Sequence, residues 1–347
     1  MPDLATLSDQ LLITTILLYT AAMLAYGVEY AFGRRGTVAR AAVRERVLVG
    51  AGGLPPVEVS LPSPPEGSLP EAPVSPGGPA GRTVPDRSPL DYVGGLAVVL
   101  TVIGALVHVG VLVTRGIAAG RVPWGNMYEF AISVCLIAVV AWLVVLTRPK
   151  RVAVRHLGAF VMLPVVLLLG LAGTVLYTRV APLVPALNSY WLKIHVSAAA
   201  IATGVFLVGF ATGVLYLIRD AYDRAVAAGR VARFPASLGA RLPAAEGLER
   251  TTFRVTAFAF PIWTFAIIAG AIWAEAAWSR YWGWDPKETW AFISWVVYAA
   301  YLHARATAGW RGRRAVWIVV LGWATMMVNL FGVNLVITGL HSYAGLQ

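Results

Sequence analysis

The chain alternates between long apolar runs and shorter polar or basic stretches. Eight of the apolar runs are long enough to cross a bilayer as α-helices. They lie near residues 11–32, 93–114, 128–147, 157–178, 195–218, 255–276, 287–304 and 316–338. The composition is 58% hydrophobic and 13% charged, which excludes an ordinary soluble domain. The pattern therefore predicts an all-α fold, a polytopic membrane helix bundle with about eight transmembrane helices.

The basic residues alternate between the loops and so predict the orientation. With the N-terminus outside, 22 of the 28 Lys and Arg fall on the cytoplasmic side, in loops 33–91, 148–156, 219–254 and 304–315. This asymmetry predicts both termini on the outer side. It also accounts for the net charge of +11, so the charge does not indicate nucleic acid. The first span follows Asp3 and Asp9 rather than basic residues, so we expect no cleaved signal peptide.

A proline-rich segment separates the first span from the others. Residues 33–91 contain 11 of the 21 prolines and few large apolar side chains. Such a composition cannot bury enough apolar area to fold, so we interpret the segment as a disordered cytoplasmic linker. The chain would then consist of a first transmembrane helix (1–32), this linker, and a seven-helix membrane domain (92–347).

Tryptophans concentrate on one short stretch that the topology places outside. Residues 273–303 hold six of the 13 tryptophans, and four of them surround a charged cluster: Trp278, Trp282, Trp284 and Trp290. Any single one is typical of an aromatic belt at the membrane interface. The density on one connection favours flat walls for a planar apolar ligand. Asp285, Pro286 and Glu288 also fit the start of a helix, as N-cap, N1 proline and capping-box residue.

Two histidines flank this stretch at the same predicted depth. His195 lies at the outer mouth of the fifth span, and His341 lies just beyond the last span. A single histidine in such a place is more often an ordinary helix-end residue, and that alternative stays open. As a pair, neutral imidazoles on opposite sides of a flat macrocycle are the expected axial ligands of haem iron.

The remaining histidines and the cysteine have other expected roles. His303 lies deep in the seventh span, where an ionisable residue indicates function. His108 in the second span differs from it in depth by roughly 20 Å at 1.5 Å per residue. We therefore expect His303 to bind a second haem whose opposite ligand comes from a partner chain, and His108 to be a packing or gating residue. His156 is expected at the surface, and Cys135 as a small buried hydrophobe.

The residues also carry a family resemblance. The run WSRYWGWDPKETWAFISWVVYAAYLHAR resembles the tryptophan-rich signature of the haem-handling proteins of cytochrome c maturation. Together with RVPWGNMYEF, the flanking histidines and the spans, it makes the chain similar to the CcsA/ResC subunit of the two-component c-type cytochrome synthase. The resemblance implies that haem b arrives from inside and is presented on the outer stretch 273–295. The cofactor-binding residues that it implies are His195, His341, His303, Trp278, Trp282, Trp284, Asp285 and Trp290, with the three histidines on haem iron.

The resemblance also implies partners and an activity. Haem would be joined to the CxxCH cysteines of an apocytochrome c, in the cell (plasma) membrane, by a holocytochrome c synthase (haem lyase) completed by a CcsB/ResB-type membrane subunit. A thiol-reducing protein of the outer compartment would keep the cysteines reduced. No catalytic residue is assigned in this chain. A haem exporter or chaperone without ligation activity and a haem-containing quinol oxidoreductase stay open as alternatives. A secondary transporter is disfavoured because no internal repeat is present.

Overall fold

The fold is a bundle of long helices. The computed structural model describes residues 3–33, 89–147, 154–183, 189–337 and 339–341, and every regular element among them is helical. The long helices are α1 (Leu4–Phe32), α2 (Pro89–Ala119), α3 (Met127–Leu146), α4 (Gly158–Thr174), α5 (Tyr190–Ala227), α6 (Ala245–Trp278), α7 (Pro286–Thr307) and α8 (Arg313–Met327). Most of the predicted linker, residues 34–88, lies outside the described residues.

The predicted spans correspond to these helices. Among the described residues, seven helical segments are long and apolar enough to cross a membrane. The seventh predicted span, 287–304, is helical as α7 but is not one of these seven segments. Helix α7 carries Lys287, Glu288, His303 and Arg305 within its length. The chain is thus a multi-pass helical membrane protein, in agreement with the predicted fold class.

Helix α5 is the central element of the bundle. It packs against α6, α3 and α8, and its apolar window is mostly buried. Gly204 lets α3 approach, because a Cβ atom there would lie 2.7 Å from the side chain of Ile137. On another side, the Phe206 ring stacks on Tyr298 of α7 with ring centroids 3.8 Å apart. Small residues at the contact allow close packing where no hydrophobic force drives helices together in lipid.

Arg–Glu ion pairs are present at both ends of the bundle. At one end, Arg155 pairs with Glu29 at 2.5 Å, and Arg305 pairs with Glu249. We call this the basic end, because the Arg-rich loops lie there. At the opposite end, which we call the tryptophan end, Arg115 pairs with Glu129 at 3.0 Å. The alternation agrees with the predicted loops, while the side of the membrane that each end faces stays a prediction.

The last helix changes its winding before the chain ends. After α8, a π-helix (Val328–Gly332) and a short α9 (Val333–Val336) follow. π-helical turns are rare and often accompany functional sites. The segment after α9 returns to the tryptophan end, where His341 contacts the residues described below.

One residue differs from its predicted position. His156 was expected at the surface, but only 6% of its area is exposed, and its ring stacks on Tyr30 with centroids 5.9 Å apart. The prediction was wrong because a basic loop sequence does not show that a 3-10 turn, Arg155–Leu157, folds back against α1. Cys135 is fully buried, as predicted.

Candidate haem site

His195 is fixed by the neighbouring helix. It lies in the second turn of α5, and its Nδ1 is 2.8 Å from the carbonyl oxygen of Ala266 on α6. A carbonyl oxygen only accepts hydrogen bonds, so Nδ1 carries the proton and the lone pair lies on Nε2. Gly270 makes room for the ring, because a Cβ atom there would lie 2.7 Å from it. The imidazole is thus oriented as a neutral ligand through Nε2.

His341 is oriented by a carboxylate instead. Its Nδ1 donates to Asp285 Oδ2 at 3.0 Å, and the Leu340 amide donates to Asp285 Oδ1 at 2.8 Å. Burial alone would raise the pKa of Asp285, but these hydrogen bonds outweigh it and hold the pKa at about 2. Burial lowers the pKa of His341 below its ordinary value, although the bond to Asp285 opposes this. At neutral pH the ring is therefore neutral, with its lone pair on Nε2.

The predicted capping box places Asp285. The Lys287 amide donates to Asp285 Oδ2 at 3.1 Å, and the Asp285 amide donates to Glu288 Oε2 at 3.1 Å. Glu288 also accepts from the Gly283 amide at 2.8 Å and pairs with Arg280 at 3.3 Å. The capping prediction is confirmed. Its consequence is that the loop between α6 and α7, the start of α7 and the His341 segment are joined through two carboxylates.

The tryptophans of this region divide into two groups. Trp273 is buried and contacts both histidines, with its ring nearly parallel to His195 (centroids 6.0 Å, 8°) and at an angle to His341 (5.8 Å, 65°). Trp278 lies 5.1 Å from the His341 ring. Trp278 and Trp282 line the cavity described next, whereas Trp284 and Trp290 line neither of its two parts.

Two adjoining cavities meet at the histidine pair. The large cavity has about 950 Å³ of empty space including its open mouth, and the small cavity about 470 Å³. Both are lined by the same six residues: His195, Trp263, Trp273, Lys287, Ala291 and His341. The large cavity extends along α5 to Thr203, two turns from His195, and the small cavity reaches Trp278, Tyr281 and Trp282.

The opposite wall of the large cavity comes from the RVPWGNMYEF segment. Trp124, Met127 and Phe130 line it. Glu129 points away into a buried cluster, where it accepts from Arg121 Nη1 at 2.7 Å and from the Gly125 amide at 2.7 Å. Buried charges are stable only when they are paired and hydrogen-bonded. This cluster therefore fixes the loop that carries Trp124.

The other two candidate residues lie apart from the cavities. His303 is exposed on α7, and its position is compatible with a ligand shared with another chain. His108 is fully buried on α2, with its Nδ1 3.3 Å from the Tyr19 hydroxyl. Helix α2 packs mainly on α1 and α3, whereas α7 packs on α8 and α6. The two histidines thus belong to different parts of the bundle.

Sequence reasoning missed several wall residues. Trp263 lies in mid-helix with no local signal, and Trp273 was noted only as part of the stretch. Trp124 lies in the RVPWGNMYEF segment, to which the resemblance assigned no role. Lys287 lies in the charged cluster of the tryptophan-rich stretch and was likewise assigned no role.

The arrangement suits haem rather than a bare metal ion. Among the described residues, no group of three or more His, Cys, Asp or Glu is placed to hold an ion. Two imidazoles with their lone pairs on Nε2, flat aromatic walls and a largely apolar cavity match a planar macrocycle with bis-His iron.

The fold and this site define a multi-pass membrane protein with an imidazole pair in a tryptophan-lined cavity. A protein-family model described as Cytochrome C assembly protein matches residues 124–341, and the chain belongs to that family. The match begins at Trp124 and ends at His341, both of which line the large cavity. The chain therefore functions in cytochrome c biogenesis, and its family handles haem.

Individual relatives agree with the family match. Cytochrome c biogenesis protein CcsA of Guillardia theta is 34% identical over 268 residues, which cover 74% of this chain and 87% of the relative. CcsA of Gloeobacter violaceus is 33% identical over 69% of this chain and 83% of the relative. CcsA of Synechococcus sp. (strain CC9605) is 36% identical over 72% of this chain and 86% of the relative. The chain is thus of the CcsA type, which agrees with the resemblance noted from the tryptophan-rich run.

Proposed function

We propose that the protein presents haem b at the outer face of the plasma membrane for covalent attachment to the CxxCH motif of an apocytochrome c. The observation that carries the proposal is the imidazole pair. His195 and His341 line one tryptophan-walled cavity, each with Nδ1 engaged by a fixed acceptor. The family's role in cytochrome c biogenesis supports the same function.

The reaction requires that haem and the apocytochrome peptide are held in position, and it requires no nucleophile from this chain. Each attachment adds a cysteine thiol to a haem vinyl group: a C–S bond forms, the thiol hydrogen goes to the vinyl carbon, and no net redox change occurs. Holding the macrocycle and admitting a peptide to its edge would supply most of the rate. Cys135 is buried, with its Sγ 3.7 Å from the Val165 carbonyl oxygen. The thiol-reducing protein must therefore be a separate partner.

Each candidate residue has its own proposed role. His195 and His341 would hold the iron, Asp285 orients His341, and Trp273 packs against both imidazoles. The exposed His303 on α7 holds a second haem together with a ligand from a CcsB/ResB-type subunit. That subunit completes the holocytochrome c synthase. The proline-rich segment connects the first transmembrane helix to the haem-handling domain and takes no part in the reaction.

Cavity-creating ligand variants test the proposal. His195→Gly and His341→Gly should each abolish assembly of a reporter c-type cytochrome and remove the bis-His absorption spectrum of the purified protein. Added imidazole should partly restore both, because it can occupy the vacated axial position. Lys193→Gly is the matched control, since it places a glycine in the same part of α5 at an exposed side chain. It should keep both readouts and gain nothing from imidazole.

The same variants also separate presentation from simple haem export. With purified protein, its partner subunit, haem and a reduced apocytochrome, the proposed function requires covalent product that depends on His195 and His341. Product formation that is unchanged in both glycine variants would contradict the role of the pair. Haem binding without any covalent product in the complete mixture would favour an exporter or chaperone.

A further inference from the structure

The large cavity has a polar corner in a mostly apolar wall. Among the described residues that line the cavity, Lys287 is the only Lys, Arg, Asp or Glu, and Asn329 and Asn334 line the cavity near it. The Lys287 side chain also lines the small cavity, as do His195 and His341. The Lys287 amino group therefore lies where the two cavities meet, next to the imidazole pair.

A hydrogen bond to the π-helix holds the Lys287 amino group in place. Lys287 Nζ donates to the carbonyl oxygen of Asn329 at 2.9 Å, within the π-helical turn. The Asn334 side-chain amide donates to the Leu330 carbonyl at 2.6 Å. An ammonium group has three donors, so the bond to Asn329 leaves donors for a further acceptor. The corner is preorganised to receive a hydrogen-bond acceptor from the cavity.

Asn329 gives a second, independent indication of a ligand. The residue is 95% buried and lines the large cavity, yet its Oδ1 has no hydrogen-bond partner among the described residues. Buried polar atoms in native proteins nearly always have a partner. The oxygen and nitrogen of an amide are assigned from the hydrogen-bond network. With the amide turned, the same position presents an NH₂ donor, on the residue whose backbone carbonyl accepts from Lys287 Nζ.

We propose that Lys287 and Asn329 form a carboxylate subsite that binds a propionate of haem. This inference rests on the proposed function and deepens it. Haem carries its propionates on the edge opposite the vinyl groups. With the iron between His195 and His341, a propionate in this corner directs the vinyl edge toward the small cavity, where Trp278 and Trp282 form the wall. The subsite thereby selects the edge that an apocytochrome meets.

Esterified haem tests the subsite. Binding of haem and of haem dimethyl ester, whose propionates are neutral, is measured by absorption titration of the full-length protein in detergent, with empty micelles as the blank. The native protein should bind haem about tenfold more tightly than the ester, since a charge-assisted hydrogen bond is lost with the ester. Lys287→Met and Asn329→Leu should each weaken haem binding and leave ester binding and the bis-His spectrum unchanged.

Lys193→Met is the matched control, because its exposed side chain lines neither of the two cavities. It should keep the full preference for haem over the ester. Equal weakening of haem and ester in Lys287→Met and Asn329→Leu, or an unchanged preference in both, overturns the subsite but leaves the proposed function standing. If haem binding to the native protein does not depend on His195 and His341, both proposals fall.

Discussion

At the scale of single residues, Asp285 joins three parts of the site. Its carboxylate accepts from the Lys287 amide at the start of α7, from the Leu340 amide, and from His341 Nδ1. An ionised carboxylate has enough acceptor sites for all of them. A neutral amide has one acceptor oxygen and cannot replace it fully, although it can still cap the helix.

Asp285→Asn should therefore separate orientation from folding. We expect haem affinity to fall by about 10–100-fold, the usual loss when a group that orients a metal-binding histidine is changed. The melting temperature should change little, because asparagine is a good N-cap. Both are measured by titration and thermal unfolding in detergent. Asp223→Asn, the same change at a more exposed i,i+4 ion pair on α5, is the control. Unaltered haem affinity in Asp285→Asn would contradict the orienting role.

Some residues of the site could be predicted from the sequence and others could not. His195 and His341 were predicted because both emerge at one face beside the tryptophans, and Asp285 because a capping box is local in sequence. Trp263 and the pairing of Trp273 with His195 depend on how α5 and α6 pack, which no local pattern encodes. Trp284 was included for its place in the run, but a left-handed backbone (φ 57°) accompanies its exposed position outside the cavities.

At the scale of elements, α7 carries candidate residues near both of its ends. Its first turn supplies Lys287 to the cavities, and His303 lies exposed four turns further along. His108, by contrast, is buried on α2 against Tyr19. That the two histidines do not share an iron stays a prediction.

Haem content of the complex with a CcsB/ResB-type subunit tests the role of α7. His303→Ala should remove the second, internal haem, because one of its axial ligands is lost. The haem bound per complex should fall by that amount. His108→Ala should lower the stability of the bundle, since it opens a cavity, but it should keep the haem bound per folded complex. Pyridine haemochrome analysis against protein concentration gives the ratio. An equal loss in the two variants would overturn the assignment.

At the scale of the whole molecule, α1 and α2 are already close at the basic end. A Cβ atom at Gly94 would lie 2.2 Å from Glu29 Oε2, so the two helices touch near the ends that the linker joins. A short connection is therefore sufficient between them. Loop length itself has a small entropic effect on stability.

Deletion of residues 50–85 should accordingly leave function intact. We expect haem content and reporter cytochrome assembly to stay close to those of the full chain, because a proline-rich, polar composition is not expected to form an apolar core. Spectra, assembly yield and the amount of membrane protein on immunoblots provide the comparison. A loss of haem at normal protein levels would show that the segment binds something.

The bundle itself was largely predictable, and its helix ends were not. Apolar length identified every long helix that the structure describes, because lipid requires each spanning segment to satisfy its own backbone hydrogen bonds. The end of α5 was expected near residue 218, but the helix continues to Ala227. The extension is polar and carries i,i+4 ion pairs, Arg219 with Asp223 and Arg224 with Asp220. Hydropathy alone does not detect such a segment.

The two imidazoles also differ in mechanical support. His195 belongs to a helix of 38 residues that packs on several neighbours, and its ring abuts the backbone at Gly270. His341 lies beyond the last helix and is oriented by hydrogen bonds to a side chain. The site thus has a stiff side and a compliant side. Less work is needed to move His341 than His195. On the proposed function, the histidine of an incoming CxxCH motif would therefore displace His341 more easily than His195.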